Sequence, residues 1–175
     1  MVMRRINNPG AVQQTKDQLV AGTLYNAYLK YSDVQTNGVA GGAASAATWH
    51  TRTLNTEDAD TDNIGSLNSN RITLPAGAYY VHVICPARKV DAHRAKIYNV
   101  TAASDLLNGT NAYSASADGV VTNAVVSGKF TLSQTSEIEV RHYCVTAAAT
   151  DGLGVVASIS GQPEYYTTID IWRFA

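Results

Sequence analysis

Two histidine–cysteine pairs stand out in this 175-residue sequence, His82 with Cys85 and His142 with Cys144, and imidazole and thiolate are the usual ligands of zinc. Side chains alternate along an extended strand, so His142 and Cys144 share a face while His82 and Cys85, three positions apart, point oppositely. A four-ligand site would therefore need a bulge. Buried packing residues are the better reading, and no metal or other cofactor is expected. Two cysteines are too few for a disulfide scaffold, and the sequence leaves open whether Cys85 and Cys144 lie close in space.

The densest charge is Glu57-Asp58-Ala59-Asp60-Thr61-Asp62-Asn63. Asp58, Asp60 and Asp62 imitate the start of a calcium loop, yet Asn63 stands where such a loop needs glycine and Ser69 where it needs the closing glutamate. A solvated turn fits better, with calcium binding left open. Glu137 and Glu139 are paired carboxylates, but their same-face spacing opposite an apolar face reads as a wet sheet surface rather than an acid–base pair. There is no Gly-x-Ser-x-Gly elbow, His-Glu-x-x-His, phosphate-cradling loop or dinucleotide fingerprint. A Ser/His/Asp site needs proximity in space rather than in sequence, which leaves His50 and His93 to be placed by the structure. The expectation is a protein that is not an enzyme, with no catalytic residues.

Composition narrows the partners. Charged residues make up only 15% of the chain and the formal net charge is -1, so nothing grips phosphate backbones or anionic lipid, and no nucleic-acid partner is expected. Apolar runs fall far short of the ~18 residues of a membrane helix, so no membrane insertion is expected. Met1–Gly10 carries charge with no apolar stretch behind it; a secretory leader is not expected, and assembly should begin in a cytoplasm.

The elements that must position these residues are strands. In Glu137–Cys144, Ile138, Val140, His142 and Cys144 fall on one face and Glu137, Glu139 and Arg141 on the other. In Gly77–Cys85, Tyr79, Val81, Val83 and Cys85 alternate with Tyr80, His82 and Ile84, so the second face is also rather apolar. Further strands are expected over Leu24–Tyr31, Trp49–Leu54, Arg71–Leu74, Arg94–Val100, Val125–Leu132, Gly154–Ile159 and Tyr165–Phe174. Turn chemistry separates them at Asn37-Gly38, Pro75-Ala76-Gly77, Asn108-Gly109, Asp118-Gly119 and Asp151-Gly152. The best candidate helix is only Ala11–Ala21. The fold class is therefore all-β, an antiparallel β-sandwich or jelly roll over residues 22–175 rather than a propeller or repeat array, with residues 1–21 as a short irregular N-terminal arm. Gly38–Ala47 is expected to be a long flexible loop.

Trp49-His50-Thr51-Arg52-Thr53-Leu54-Asn55, an acidic turn, and then Asn70–Val81 with its Leu-Pro-Ala-Gly-x-Tyr resemble the complement C1q and tumour-necrosis-factor-like jelly roll. The stretch Ala92–Thr101 resembles that family's next hairpin strand. With His142-Tyr143-Cys144, these motifs are also similar to bacteriophage tail-fibre and virion surface proteins. The resemblance covers roughly residues 22–175 and implies a bell-shaped homotrimer with aromatic side chains near its threefold axis. The last strand fits, with Ile169 and Ile171 on one side and Tyr166, Trp172 and Phe174 on the other, whereas a sandwich strand needs only one buried face. These five residues are the expected trimer interface.

The reading that follows is a non-enzymatic bacteriophage virion structural protein, the trimeric head of a fibre or spike used for host-surface attachment. Residues 1–21 would dock it to a tail, baseplate or major capsid protein, and its loops would contact a host cell-surface glycan or protein. Tyr113 and the Asp58–Asp62 turn are candidate contacts, and the loops Gly38–Ala47 and Ala147–Gly152 adapt or merely connect. One alternative is a capsid-decorating cement protein. Another, a secreted cytokine-like ligand, is disfavoured by the lack of a leader.

Overall fold

The computed structural model describes residues 25–175; the arm of residues 1–21 and the candidate helix Ala11–Ala21 lie outside the described residues. The chain folds as strands β1 (Tyr25–Gln35), β2 (Thr48–Thr51), β3 (Thr56–Asp60), β4 (Ser66–Asn68), β5 (Arg71–Leu74), β6 (Gly77–Arg88), β7 (Asp91–Asn99), β8 (Ser104–Asn108), β9 (Ala112–Ser114), β10 (Val121–Leu132), β11 (Ser136–Cys144) and β12 (Glu164–Phe174). Among the described residues no helix is long and apolar enough to cross a membrane.

The strands form two antiparallel sheets facing one another, an all-β jelly-roll sandwich. One sheet runs β10-β6-β12-β1-β3; the other runs β4-β5-β11-β7-β8, with β9 added on β7. β2 lies along the upper half of β11, where the Arg52 amide donates to Val140 O at 2.8 Å. Alternation places the core as the sequence requires. Tyr79, Val81, Val83 and Cys85 of β6 are wholly buried and meet Ile138 and Val140 of β11 across the sandwich. Each large apolar side chain so buried contributes roughly 1.5–3 kcal/mol. The Pro75–Gly77 turn delivers the chain into β6, and the Tyr79 hydroxyl donates back to Pro75 O at 2.8 Å to fix the entry.

Several expectations change. Gly154–Ile159 is loop rather than strand. Its Ala157 and Ser158 amides donate to the Glu164 carboxylate at 2.8 and 2.9 Å, so a side chain satisfies backbone groups that a strand would have paired with a neighbour. The acidic run is not only a turn: Thr56–Asp60 pairs with β1 as the sheet's last strand, and Glu57 and Asp58 place charge on an exposed edge, which discourages further strand addition. β7 forms its hairpin with β8, in the sheet opposite β6. Lys89 and Asp91, both with φ of 57°, turn the chain from one sheet into the other.

The Gly38–Ala47 stretch is pinned in place. Ala44 and Ala148 exchange backbone hydrogen bonds at 2.9 and 3.0 Å, and Gly41 donates to Gly154 O. Small residues are required there, because a Cβ on Gly41 would lie 2.8 Å from Leu153 O and one on Gly152 would lie 2.7 Å from the Ala44 Cβ.

Candidate functional site

β12 runs centrally in its sheet, between β6 and β1. Ile169 and Ile171 point into the sandwich and are fully buried in the chain's own core, so they do not reach the expected interface. Tyr166 is likewise covered by its own chain: the β1–β12 register slips between Ser32 and Val34, and the ring settles against Gly154 with its hydroxyl donating to Val39 O. Trp172 and Phe174 alone of the five face away from the core.

They are not isolated there. The Trp172 ring lies 5.4 Å from Tyr28 and 5.9 Å from Tyr80, while Tyr25 lies 5.0 Å from Phe174 and 6.2 Å from Trp172. Lys129 Nζ sits 4.0 Å over the Phe174 ring. Two hydroxyls among these rings are engaged: Tyr28 OH donates to Asp170, and Tyr80 OH pairs with Ser127 Oγ. Burial and the Asp170 carboxylate push the Tyr28 hydroxyl up to about 12, so it stays a neutral donor. Sequence reasoning missed Tyr25, Tyr28 and Tyr80. The signal for Tyr80 was present in the apolar second face of β6, but only the register against β12 shows that these rings meet.

The zinc grouping is not assembled. His82 pairs in register with Asp170 on the sheet face away from the core, apart from buried Cys85 and Cys144, which are free thiols. Among the described residues no group of three or more His, Cys, Asp or Glu could hold a metal ion. In the acidic run, the Asp60 carboxylate accepts from the amides of Asp62, Ile64 and Gly65, so it closes the turn with backbone donors. Glu139 is not on a wet surface: it is 3% exposed and held by Arg71 at 3.4 Å and Arg141 at 2.5 Å. Tyr113 is 62% exposed, its hydroxyl 3.3 Å from Asp91.

The structure does bring together a different histidine set. His93 Nδ1 and His142 Nε2 share a hydrogen bond at 3.0 Å, His93 Nε2 pairs with Thr122 Oγ1 at 2.8 Å, and the His50 ring lies 6.0 Å from that of His142. Both ring nitrogens of His50 and Nδ1 of His142 are buried with no hydrogen-bond partner among the described residues. Beside them Arg52 is fully buried, donating to Thr167 Oγ1 at 2.6 Å, Leu153 O at 2.7 Å and Pro86 O at 3.3 Å. Burial, reinforced by the Arg52 charge, lowers His93 to about 4 and His142 to about 2, and lowers His50 as well. Burial pushes the Cys85 and Cys144 thiols up to about 11, so neither is a ready nucleophile. The cluster contains no serine positioned by a histidine, so the Ser/His/Asp arrangement is not formed by His50 or His93.

No family model matches the sequence, and no curated protein matches it. Solved structures do. A crystal structure of murine APRIL superposes with a TM-score of 0.56 at 8% identity, covering 85% of this chain and 98% of that one. Eiger TNF from S. frugiperda gives 0.55 at 15% identity, covering 86% and 94%. The globular domain of zebrafish complement 1qA gives 0.51 at 12% identity, covering 82% and 95%. At these identities the likeness establishes the fold, a C1q/TNF-like jelly roll, as the sequence motifs implied.

Proposed function

We propose that the protein is a non-enzymatic binding module of a bacteriophage virion, a homotrimeric jelly-roll head that contacts the host surface from the tip of a fibre or spike. The observation that carries the trimer is the cluster of Tyr25, Tyr28, Tyr80, Trp172 and Phe174 on the outward face of the β10-β6-β12-β1-β3 sheet. A sandwich needs one apolar face per sheet, and a second one rich in aromatic rings has the composition of an interface core. Lys30, Lys129 and Asp170 give it a charged surround, and identical copies closing around a threefold axis would bury it. The virion setting is supported by the resemblance of the sequence motifs to those of phage fibre and virion proteins. Docking through residues 1–21 belongs to the same reading.

Mass measurement under native conditions tests the assembly: a species near three times 18.6 kDa is expected, and a clean monomer overturns it. Trp172→Asp should dissociate the trimer at a cost of about 2 kcal/mol or more per interface while far-UV circular dichroism stays β-rich. Immunogold labelling of particles should decorate fibre or spike tips. Label over the shell would favour capsid decoration, and unlabelled particles would end the virion reading. The likeness to tumour-necrosis-factor structures favours, as a second reading, a secreted cytokine-like ligand, which predicts the same trimer with no label on particles.

A further inference from the structure

The sheet opposite the aromatic face carries its own pocket, of about 430 Å³. It opens where β2, β7 and the end of β11 come together beside the loop leading into β9. Trp49 of β2 and Tyr143 of β11 line it, with ring centroids 5.5 Å apart and planes inclined at 57°. Arg94 stands directly opposite Tyr143 in the β11–β7 register, and Asn111 closes the side. Lys96 Nζ, 4.2 Å over the Trp49 ring, holds the indole in place.

The charges on this sheet are otherwise spoken for. Arg71 pairs with Glu137 and Glu139, Lys96 with Asp105, and Arg141 with Glu139. Arg94 makes no ion pair and no side-chain hydrogen bond among the described residues, and neither does the Asn111 amide. Among the described residues no carboxylate lines the pocket. An aromatic corner thus converges with an unengaged guanidinium and an unengaged amide, in a volume within the usual range for small-molecule sites.

We propose that this pocket binds a saccharide unit bearing a carboxylate. The C–H edges of a pyranose ring carry partial positive charge and pack against the electron-rich faces of Trp49 and Tyr143. The carboxylate takes the two-pronged hydrogen bond that guanidinium offers from Arg94, and the Asn111 amide donates to and accepts from ring hydroxyls. A neutral sugar would leave Arg94 unpaired, so the acidic sugar is the preferred ligand. The inference rests on the host-surface reading above and names its ligand class. The pocket faces away from the sheet that would bury the trimer contacts, so three copies stay open and weak single sites act together.

Saturation-transfer NMR on the full-length protein, with N-acetylneuraminic acid, glucuronic acid and neutral glucose as probes, tests it. At least one acidic sugar should receive transfer at millimolar concentration, and glucose should bind about tenfold more weakly or not at all. Only two tryptophans are present, so in a Trp172→Phe background the fluorescence of Trp49 alone should change on titration with the acidic sugar. Arg94→Gln, a partly exposed position, should weaken binding about tenfold without altering the circular dichroism, and Trp49→Ala should abolish it. No transfer to either acidic sugar, or binding unchanged in Arg94→Gln, overturns the proposal. Failure of the two readings is separable. Labelled particle tips with no sugar binding remove this pocket alone, whereas sugar binding with unlabelled particles removes the virion setting and leaves the pocket standing.

Discussion

Acidification from pH 7 to pH 4 is expected to remove about 3–6 kcal/mol of folding stability, a large share of the roughly 5–15 kcal/mol that holds an ordinary domain folded. The source is the buried histidine cluster. His93 and His142 are held at about 4 and about 2 in the fold, against 6.5 for an ordinary imidazole. A base whose folded pKa is depressed favours the folded state when neutral. Its contribution is whole above pH 6.5 and is lost as the pH falls toward the folded value, because the unfolded chain takes up the proton first. At about 1.4 kcal/mol per pKa unit, each group forfeits about 3 kcal/mol by pH 4. His50 moves in the same direction.

The surroundings do not cancel this. Arg52 adds a fixed positive charge, and the Cys85 and Cys144 thiols stay neutral. Burial raises Asp33, which works in the opposite sense, since protonation relieves the cost of its buried charge as pH falls. One carboxyl against three imidazoles offsets part of the loss. Denaturant unfolding followed by circular dichroism at stepped pH measures the slope. His142→Leu should change stability at pH 7 by only about 1 kcal/mol, because a lost hydrogen bond to His93 is set against the removal of an orphaned Nδ1. Its acid midpoint should move down by roughly one pH unit. An identical acid midpoint in wild type and His142→Leu would sink the account.

What the sequence made legible follows from what is local. Period-two alternation identified the inward faces of β6 and β11 because neighbouring residues alone decide it, and the same logic detected that β12 is apolar on both sides. Which side meets the core depends on β12 lying between β6 and β1, a pairing no local pattern states, so alternation alone does not tell that Ile169 and Ile171 belong to the core and Trp172 and Phe174 to the outer face. The same limit hid the histidine cluster. His93 and His142 are 49 positions apart and meet because Cys144 registers with His93 and His142 with Ala95, placing both inward on adjacent strands. The Gly154–Ile159 loop misled because its β-branched residues fit a strand, while a carboxylate from Glu164 had already taken its amides. Arg52 was invisible for a more general reason: nothing in composition marks which arginine is inside.

That arginine carries the second large expectation: Arg52→Ala should cost about 3–5 kcal/mol, with the two sheets loosened where the Arg52 side chain reaches β6 and β12. Three donors of one planar group reach the Thr167 hydroxyl on β12, Pro86 O on β6 and Leu153 O in the loop before β12. Removing the side chain takes the guanidinium donor from all three acceptors at a buried position, leaves a cavity, and deprives Asp33 of its nearby positive charge. Arg52→Lys should recover only part of the loss, since a point charge with three donors cannot reproduce the fixed fork. Arg52→Met separates packing from charge. It fills most of the volume and should be less damaging than alanine at pH 7. It also removes the cation that helps depress His50, His93 and His142, so their folded pKa values should rise toward 6.5 and the stability curve should flatten below pH 6. Urea titrations of the three variants at pH 7 and pH 5 measure both effects. A loss below about 1 kcal/mol in Arg52→Ala would show that the buried guanidinium holds nothing together, and an unchanged pH slope in Arg52→Met would show that it does not act on the histidines.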